Sequence, residues 1–201
     1  AITYSRAQIG IQAPEVVVEA DFNQGLPQIL IVGLPETAVR ESKDRVRAAI
    51  TNSGFAVPGR KATVNLAPAD LPKQGGRYDL AIAAAILEAS DAVPPGSLAN
   101  LELMGELALD GALRKVDGVL PAAIASADTG RILIIPRQNG VEASLAETRH
   151  VRVADHLLDV VQFARADKGL DSPACAPITG SSEGPSLCDI RGQPLGKRAL
   201  I

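Results

Sequence analysis

Apolar and polar positions along the first third of the chain switch once from a strand-like to a helix-like period. Ala7–Gln12 alternates, Glu15–Phe22 is rich in valine, and Gln28–Val32 is a short, nearly continuous apolar run. Runs of that last kind lie in sheets covered on both faces. Gly33-Leu34-Pro35-Glu36 follows, with proline where a first helical turn tolerates it. Val39, Val46 and Ile50 then recur at helical spacing, and Gly54 ends the segment. The predicted order is β-β-β-α.

The strand-like period returns at Lys61–Leu66. The loop from Ala67 to Arg77 carries two prolines and two glycines before a predicted helix over Asp79–Ala89, which is apolar nearly all round and should be buried. Leu101–Leu109 and Ala112–Val116 flank Asp110-Gly111, a two-residue hairpin signal whose turn needs positive φ. Asp117 reads as the N-cap of a helix ending near Asp128, and Ile132–Ile135 as another buried strand. Val151–Val153 and a helix over Ala154–Ala166 close the domain.

After Lys168 the texture changes. Residues 169–186 are rich in Pro, Ser, Gly and Ala without apolar periodicity and read as a flexible linker; residues 187–201 read as the start of a further module. The organisation expected is one α/β domain over residues 1–168, helices packed on a mixed sheet, followed by that linker.

Composition sharpens the picture. Hydrophobic residues make up 46% of the chain but aromatics only 2%, so the core must be aliphatic, and a base-stacking platform is excluded. A net charge of −3 rules out a broadly basic nucleic-acid binder while leaving room for a local basic face. No apolar run is long enough to span a membrane and the first ten residues lack a signal-peptide core, so a cytoplasmic setting without membrane contact is expected. Cys175 and Cys188 lie in the linker-like tail and are expected to be free thiols.

Three blocks carry more specific information: GLPETAVRESKDRVRAAITNSGF (Gly33–Phe55), TVNLAPADLPKQGGRYDLAIA (Thr63–Ala83) and GELALDGALRKVDGVLPAA (Gly105–Ala123). In content, order and spacing they resemble the ComM/YifB family of magnesium-chelatase-like AAA+ proteins, and the likeness covers almost all of residues 1–168. The resemblance implies an amino-terminal domain related to the proteolytic domain of Lon, with its ribosomal-protein-type β-α fold. It also implies that Asp189–Leu200 leads toward an AAA+ module. No G-x-x-x-x-G-K-[ST] phosphate loop occurs in the 201 residues, so no cofactor is expected here; ATP and Mg would belong to the full-length parent.

In Lon a motif like PKDGPSAG presents the nucleophilic serine and a later helical lysine is the base. The matching stretch here is Pro72-Lys73-Gln74-Gly75-Gly76-Arg77-Tyr78-Asp79, with Arg77 at the serine position. Carrying the serine-to-lysine spacing forward lands on Ala122. A Ser/Lys dyad needs a hydroxyl and an amine whose pKa burial can lower. A guanidinium stays protonated and a methyl group is no base, and no serine lies between Leu71 and Ala89. The fragment is therefore expected to be no enzyme and to have no catalytic residues.

Several features admit two readings. Gly75-Gly76 is either a phosphate-binding nest or a tight strand-to-helix connection. Arg77 and Asp79 form a functional site, an ion pair or a helix cap. Arg40, Lys43, Arg45 and Arg47 make a DNA-facing patch or, with Glu36, Glu41 and Asp44 interleaved, a solvated face of i,i+3 and i,i+4 pairs. Arg60, Lys61, Lys73 and Arg77 are the better DNA-contact candidates. His150 and His156, with Asp155, lack metal-ligand spacing, and no metal site is expected.

What the resemblance implies is a non-catalytic accessory domain of a hexameric ATPase, the parent an ATP-driven DNA helicase or branch-migration factor in natural transformation. Its partners would be other subunits of the same ring, with DNA as the parent's ligand. A residual peptidase or peptide-binding domain is the alternative from another class. A subunit of a magnesium chelatase ranks below both.

Overall fold

The computed structural model describes residues 1–146, 149–166 and 168–174. The fold is mixed α/β, with one seven-stranded sheet in the order β3-β4-β2-β1-β5-β8-β9. These strands are β1 (Ile2–Arg6), β2 (Glu15–Asn23), β3 (Gln28–Val32), β4 (Lys61–Ala67), β5 (Leu101–Leu103), β8 (Ile132–Pro136) and β9 (Val151–Ala154). A small hairpin, β6 (Glu106–Leu107) with β7 (Leu113–Arg114), stands apart. β2 pairs antiparallel with β1 and β4, whereas every other neighbouring pair in the large sheet is parallel. Six strands thus point one way and only β2 opposes them. The carboxyl ends of β1, β4 and β5 therefore open onto the same edge.

The first helices, α1 (Thr37–Asn52) and α2 (Asp79–Ala89), share one face of the sheet with α5 (Leu157–Ala164). α2 is buried from Asp79 to Glu88 because sheet, α1 and α5 surround it, as its all-round apolarity predicts. Among the described residues the opposite face is covered only beyond β1. There α3 (Val119–Ala127) and α4 (Gly140–Ser144) close over Leu133, Ile135, Val151 and Val153 in a second aliphatic core. Neighbouring Ile134 and Ala154 face the first core, the alternation a strand imposes. No helix among the described residues is long and apolar enough to cross a membrane.

Several local expectations change. The first strand is Ile2–Arg6, not Ala7–Gln12; the latter forms a turn around Gly10 (φ 59°), closed by Ile9 and Gln12. The true strand escapes a hydrophobic pattern because its buried positions include Thr3, Ser5 and Arg6. Gln28–Val32 is an edge strand rather than a covered one, and Leu30 and Val32 remain exposed on it. Pro35 lies outside α1, where its carbonyl accepts from Arg40 Nε at 3.1 Å. The predicted strand over Leu101–Leu109 is broken at Met104-Gly105, where the chain leaves the sheet for the hairpin.

Asp117 does not cap α3. The preceding residue is Gly118 in the left-handed region (φ 70°), and the Glu142 carboxylate accepts from Val119 and Leu120 N–H at 2.9 and 3.0 Å. A cap supplied from another helix leaves no local signature. Ala154 belongs to β9, and α5 begins only after His156, whose Nδ1 accepts from Leu158 N–H at 3.1 Å. Packing also runs past Lys168: Val153 N–H donates to Asp171 O at 2.9 Å, so the segment read as linker begins on the domain's surface. Most of residues 169–186, all of 187–201 and both cysteines lie outside the described residues.

Candidate functional site

The loop after β4 is held from inside. Lys73 is fully buried, and its amine donates to the carbonyls of Pro68 and Leu71, the latter at 3.0 Å. Burial pulls this amine below the ordinary lysine value. Glu36 N–H donates to Lys73 O at 3.3 Å, tying the loop to the start of α1. Farther along, Gly105 N–H donates to Arg77 O at 3.0 Å and Leu80 N–H to Gly105 O at 3.1 Å. The loop is thus stitched to the break between β5 and β6. Gly75 takes φ 69°, and a Cβ on Gly76 would lie 2.6 Å from the Glu106 side chain.

Arg77 and Asp79 do not pair. Asp79 accepts from Arg45 Nε and Nη2 at 2.9 and 3.2 Å and from Leu107 N–H at 3.3 Å. Burial pushes its carboxyl up to about 6, against the opposing pull of Arg45 and the Leu107 amide. Arg77, 9% exposed, turns the other way. Its Nη2 donates to Gln8 Oε1 at 2.8 Å and to the Asp117 carbonyl at 3.1 Å. Its Nη1 and the Tyr78 hydroxyl meet no hydrogen-bond partner among the described residues. Burial lowers the guanidinium's pKa and raises the Tyr78 phenol to about 12.

Two adjoining depressions of about 320 and 360 Å³ share Gln8, Gln74 and Arg77. The first extends to Pro72 and Tyr78, the second to Glu106, Lys115 and Asp117. They lie outside the carboxyl ends of β1, β4 and β5, where the chain crosses from one half of the sheet to the other. Open α/β sheets bind ligands at such switch points. Ala122, by contrast, is wholly buried in α3 and packs into the second core.

The four DNA-contact candidates are not brought together. Arg60, exposed beside the Phe22 ring, and Lys61 sit where β4 begins, whereas Lys73 and Arg77 follow its end. Seven strand residues separate the two groups, about 20 Å. Lys73 is unavailable to any ligand while its amine stays sealed in the loop. On α1 no ion pair forms within the helix among the described residues, because Arg45 turns inward to Asp79 and Arg40 to Pro35. His156 uses both ring nitrogens locally, Nε2 lying 2.9 Å from Asp110 O.

Sequence reasoning missed Gln8, Glu106, Lys115 and Asp117 as parts of the site. Gln8 arrives from 69 positions before Arg77, so no spacing rule could have joined them. The hairpin residues were legible as a hairpin, but not as a wall of the cleft.

Comparisons with known proteins place the chain in a family. Residues 18–139 match the family described as subunit ChlI of Mg-chelatase. The chain is 44% identical over 200 residues to the uncharacterized protein YifB of Salmonella typhimurium, covering 100% of this chain and 40% of that protein. It is 45% identical over 199 residues to YifB of Escherichia coli, covering 99% and 39%. Against the competence protein ComM of Haemophilus influenzae identity is 48% over 207 residues, covering 100% and 40%. The chain thus spans about 40% of the length of the curated relatives it matches. It belongs to the Mg-chelatase ChlI-like family, in the ComM/YifB group.

Proposed function

We propose that this chain is a non-catalytic accessory domain of a ComM-type ATPase, built on the frame of the Lon proteolytic domain. The whole protein, in this reading, is a hexameric, ATP-driven DNA helicase or branch-migration factor in the cytoplasm, active in natural transformation. The domain contributes to ring assembly or guides DNA. ATP and Mg bind the remainder of the protein, since this chain has no glycine-rich phosphate loop followed by Lys-Ser or Lys-Thr.

One observation carries the reading. The cleft holds the Arg77 guanidinium, which stays charged, at the position the Lon resemblance assigns to a nucleophile, and the position it assigns to the base is Ala122, a methyl group buried in the second core. Lys73, the buried amine of the loop, spends its protons on two carbonyls. The Tyr78 hydroxyl, pushed up to about 12, stays protonated and is a donor rather than a nucleophile. The name of the Haemophilus relative supports a role in competence.

The test is removal of residues 1–168 from the full-length protein, with ATPase rate, hexamer formation and DNA binding measured on both forms. Retained ATPase turnover per subunit, with assembly or DNA affinity reduced at least fivefold, is expected. Unchanged assembly together with unchanged DNA affinity would remove the accessory role.

A further inference from the structure

We propose that the cleft beside Arg77 is a binding site for a phosphate group, with the Arg77 guanidinium as its anchor. The case begins with a missing counter-charge. Two arginines of the described structure are buried, Arg6 and Arg77. Arg6 grips Glu102 through two hydrogen bonds of 2.7 and 2.8 Å. Arg77 has no carboxylate within ion-pair distance among the described residues, and only the Asp117 carboxylate favours its charge from farther off; its bonds go to neutral oxygens, Gln8 Oε1 and the Asp117 carbonyl. A cation withdrawn from water without an anion is costly, and such groups persist where a ligand supplies the anion.

The donors around it are idle. Arg77 Nη1 and the Tyr78 hydroxyl are both buried and unpartnered among the described residues, and both residues border the depression of about 320 Å³. Among the described residues Arg77 is the only formally charged one lining it, whereas the adjoining depression, which Gly75 and Gly76 line, also holds Glu106, Lys115 and Asp117. Just before them, the backbone N–H groups of Gln74, Gly75 and Gly76 donate to no described residue. Gly75, at φ 69°, has open space around the position a Cβ would occupy. Successive amides of a glycine-containing turn form an anion-binding concavity. A guanidinium, a phenol and loop amides together offer more donors than one carboxylate can engage, which suits the larger acceptor set of a phosphate.

The site is independent of the DNA reading, because the test contains no duplex. The 201-residue chain, labelled with ¹⁵N, is titrated with inorganic phosphate against chloride at matched ionic strength. Phosphate should shift the Arg77 side-chain Nε–Hε resonance and the Gly75 and Gly76 amides along saturating curves. Arg77→Met should weaken binding at least tenfold, while Arg149→Met, which removes an exposed arginine bordering neither depression, should leave it unchanged. Should Arg77→Met fail to fold, the wild-type shifts still decide. Shifts that never saturate beyond the chloride control, or that saturate away from residues 74–78, overturn the proposal. A nucleoside monophosphate and a dinucleotide distinguish the source: saturation by the first alone assigns a terminal phosphate, and saturation by both assigns a phosphodiester as well.

Discussion

Arg45 and Asp79, 34 positions apart, are joined by hydrogen bonds of 2.9 and 3.2 Å that fasten α1 to the first turn of α2. The acid also accepts from Leu107 N–H, so one carboxylate holds two helices and the small hairpin beside the cleft. Burial nonetheless dominates its titration and raises it to about 6.

A pH dependence follows from that sign. Asp79 binds its proton more tightly in the folded chain than in the unfolded one. Its contribution to stability is therefore largest below the ordinary aspartate pKa and is lost as pH rises through about 6. Two pKa units correspond to on the order of 2–3 kcal/mol. Urea unfolding of wild type and Asp79→Asn between pH 4 and 7 should show wild type losing about that much relative to the variant. A difference independent of pH would contradict it.

Glu102 supports a buried network. It accepts from Arg6 Nε and Nη2, from Thr129 Oγ1 at 2.9 Å and from Arg131 Nη1 at 3.3 Å. Glu102→Gln leaves Arg6 buried without its counter-charge and should cost about 3–5 kcal/mol. A loss below about 1 kcal/mol in denaturant unfolding would show that the network relaxes or admits water.

Two glycines should respond unequally to alanine. Gly33 has φ 99°, and a Cβ there would meet the Leu66 carbonyl oxygen at 2.1 Å, so backbone must move. Gly33→Ala should cost more than about 2 kcal/mol. At Gly76 the obstacle is the Glu106 side chain, which is partly exposed and can swing aside. Gly76→Ala should cost less than about 1 kcal/mol while altering the cleft wall. Thermal melts of the two variants compare them directly.

If the domain touches DNA, the contact is with phosphates and falls steeply with salt. Affinity for branched or single-stranded DNA should drop at least about 100-fold between 50 and 200 mM salt if five or more phosphates are neutralised. Arg60→Ala and Lys61→Ala should each reduce the slope of log affinity against log salt by about one. Lys73→Ala should leave that slope unchanged, because its side chain is buried and its amine is bonded to loop carbonyls. A loss of slope in the lysine-73 variant instead would mean the loop opens to bind.

Long periodic elements were legible from the sequence because one physical cause dominates each. α2 matches its predicted bounds, since eleven residues without an outward-facing side need burial on all sides. β3 was placed correctly but its environment was not, because an apolar run says nothing about whether a sheet continues beyond it. β1 was misplaced because its inward Thr3 and Ser5 are polar. The loop carrying Arg77 stood out through its glycines and the resemblance it carries. The partners that give Arg77 its character, Gln8 and Asp117, arrive through the fold alone. Likewise, nothing local foretold that Lys73 would be sealed inward or that Arg45, rather than Arg77, would claim Asp79.

Hydrolysis of casein-derived fluorogenic peptides by the purified chain tests the central claim most directly, with a serine-directed covalent probe alongside. The prediction is no turnover above buffer and no stoichiometric labelling. Turnover that accompanies the protein and disappears on replacing Lys73, Lys115 or a single serine would contradict it.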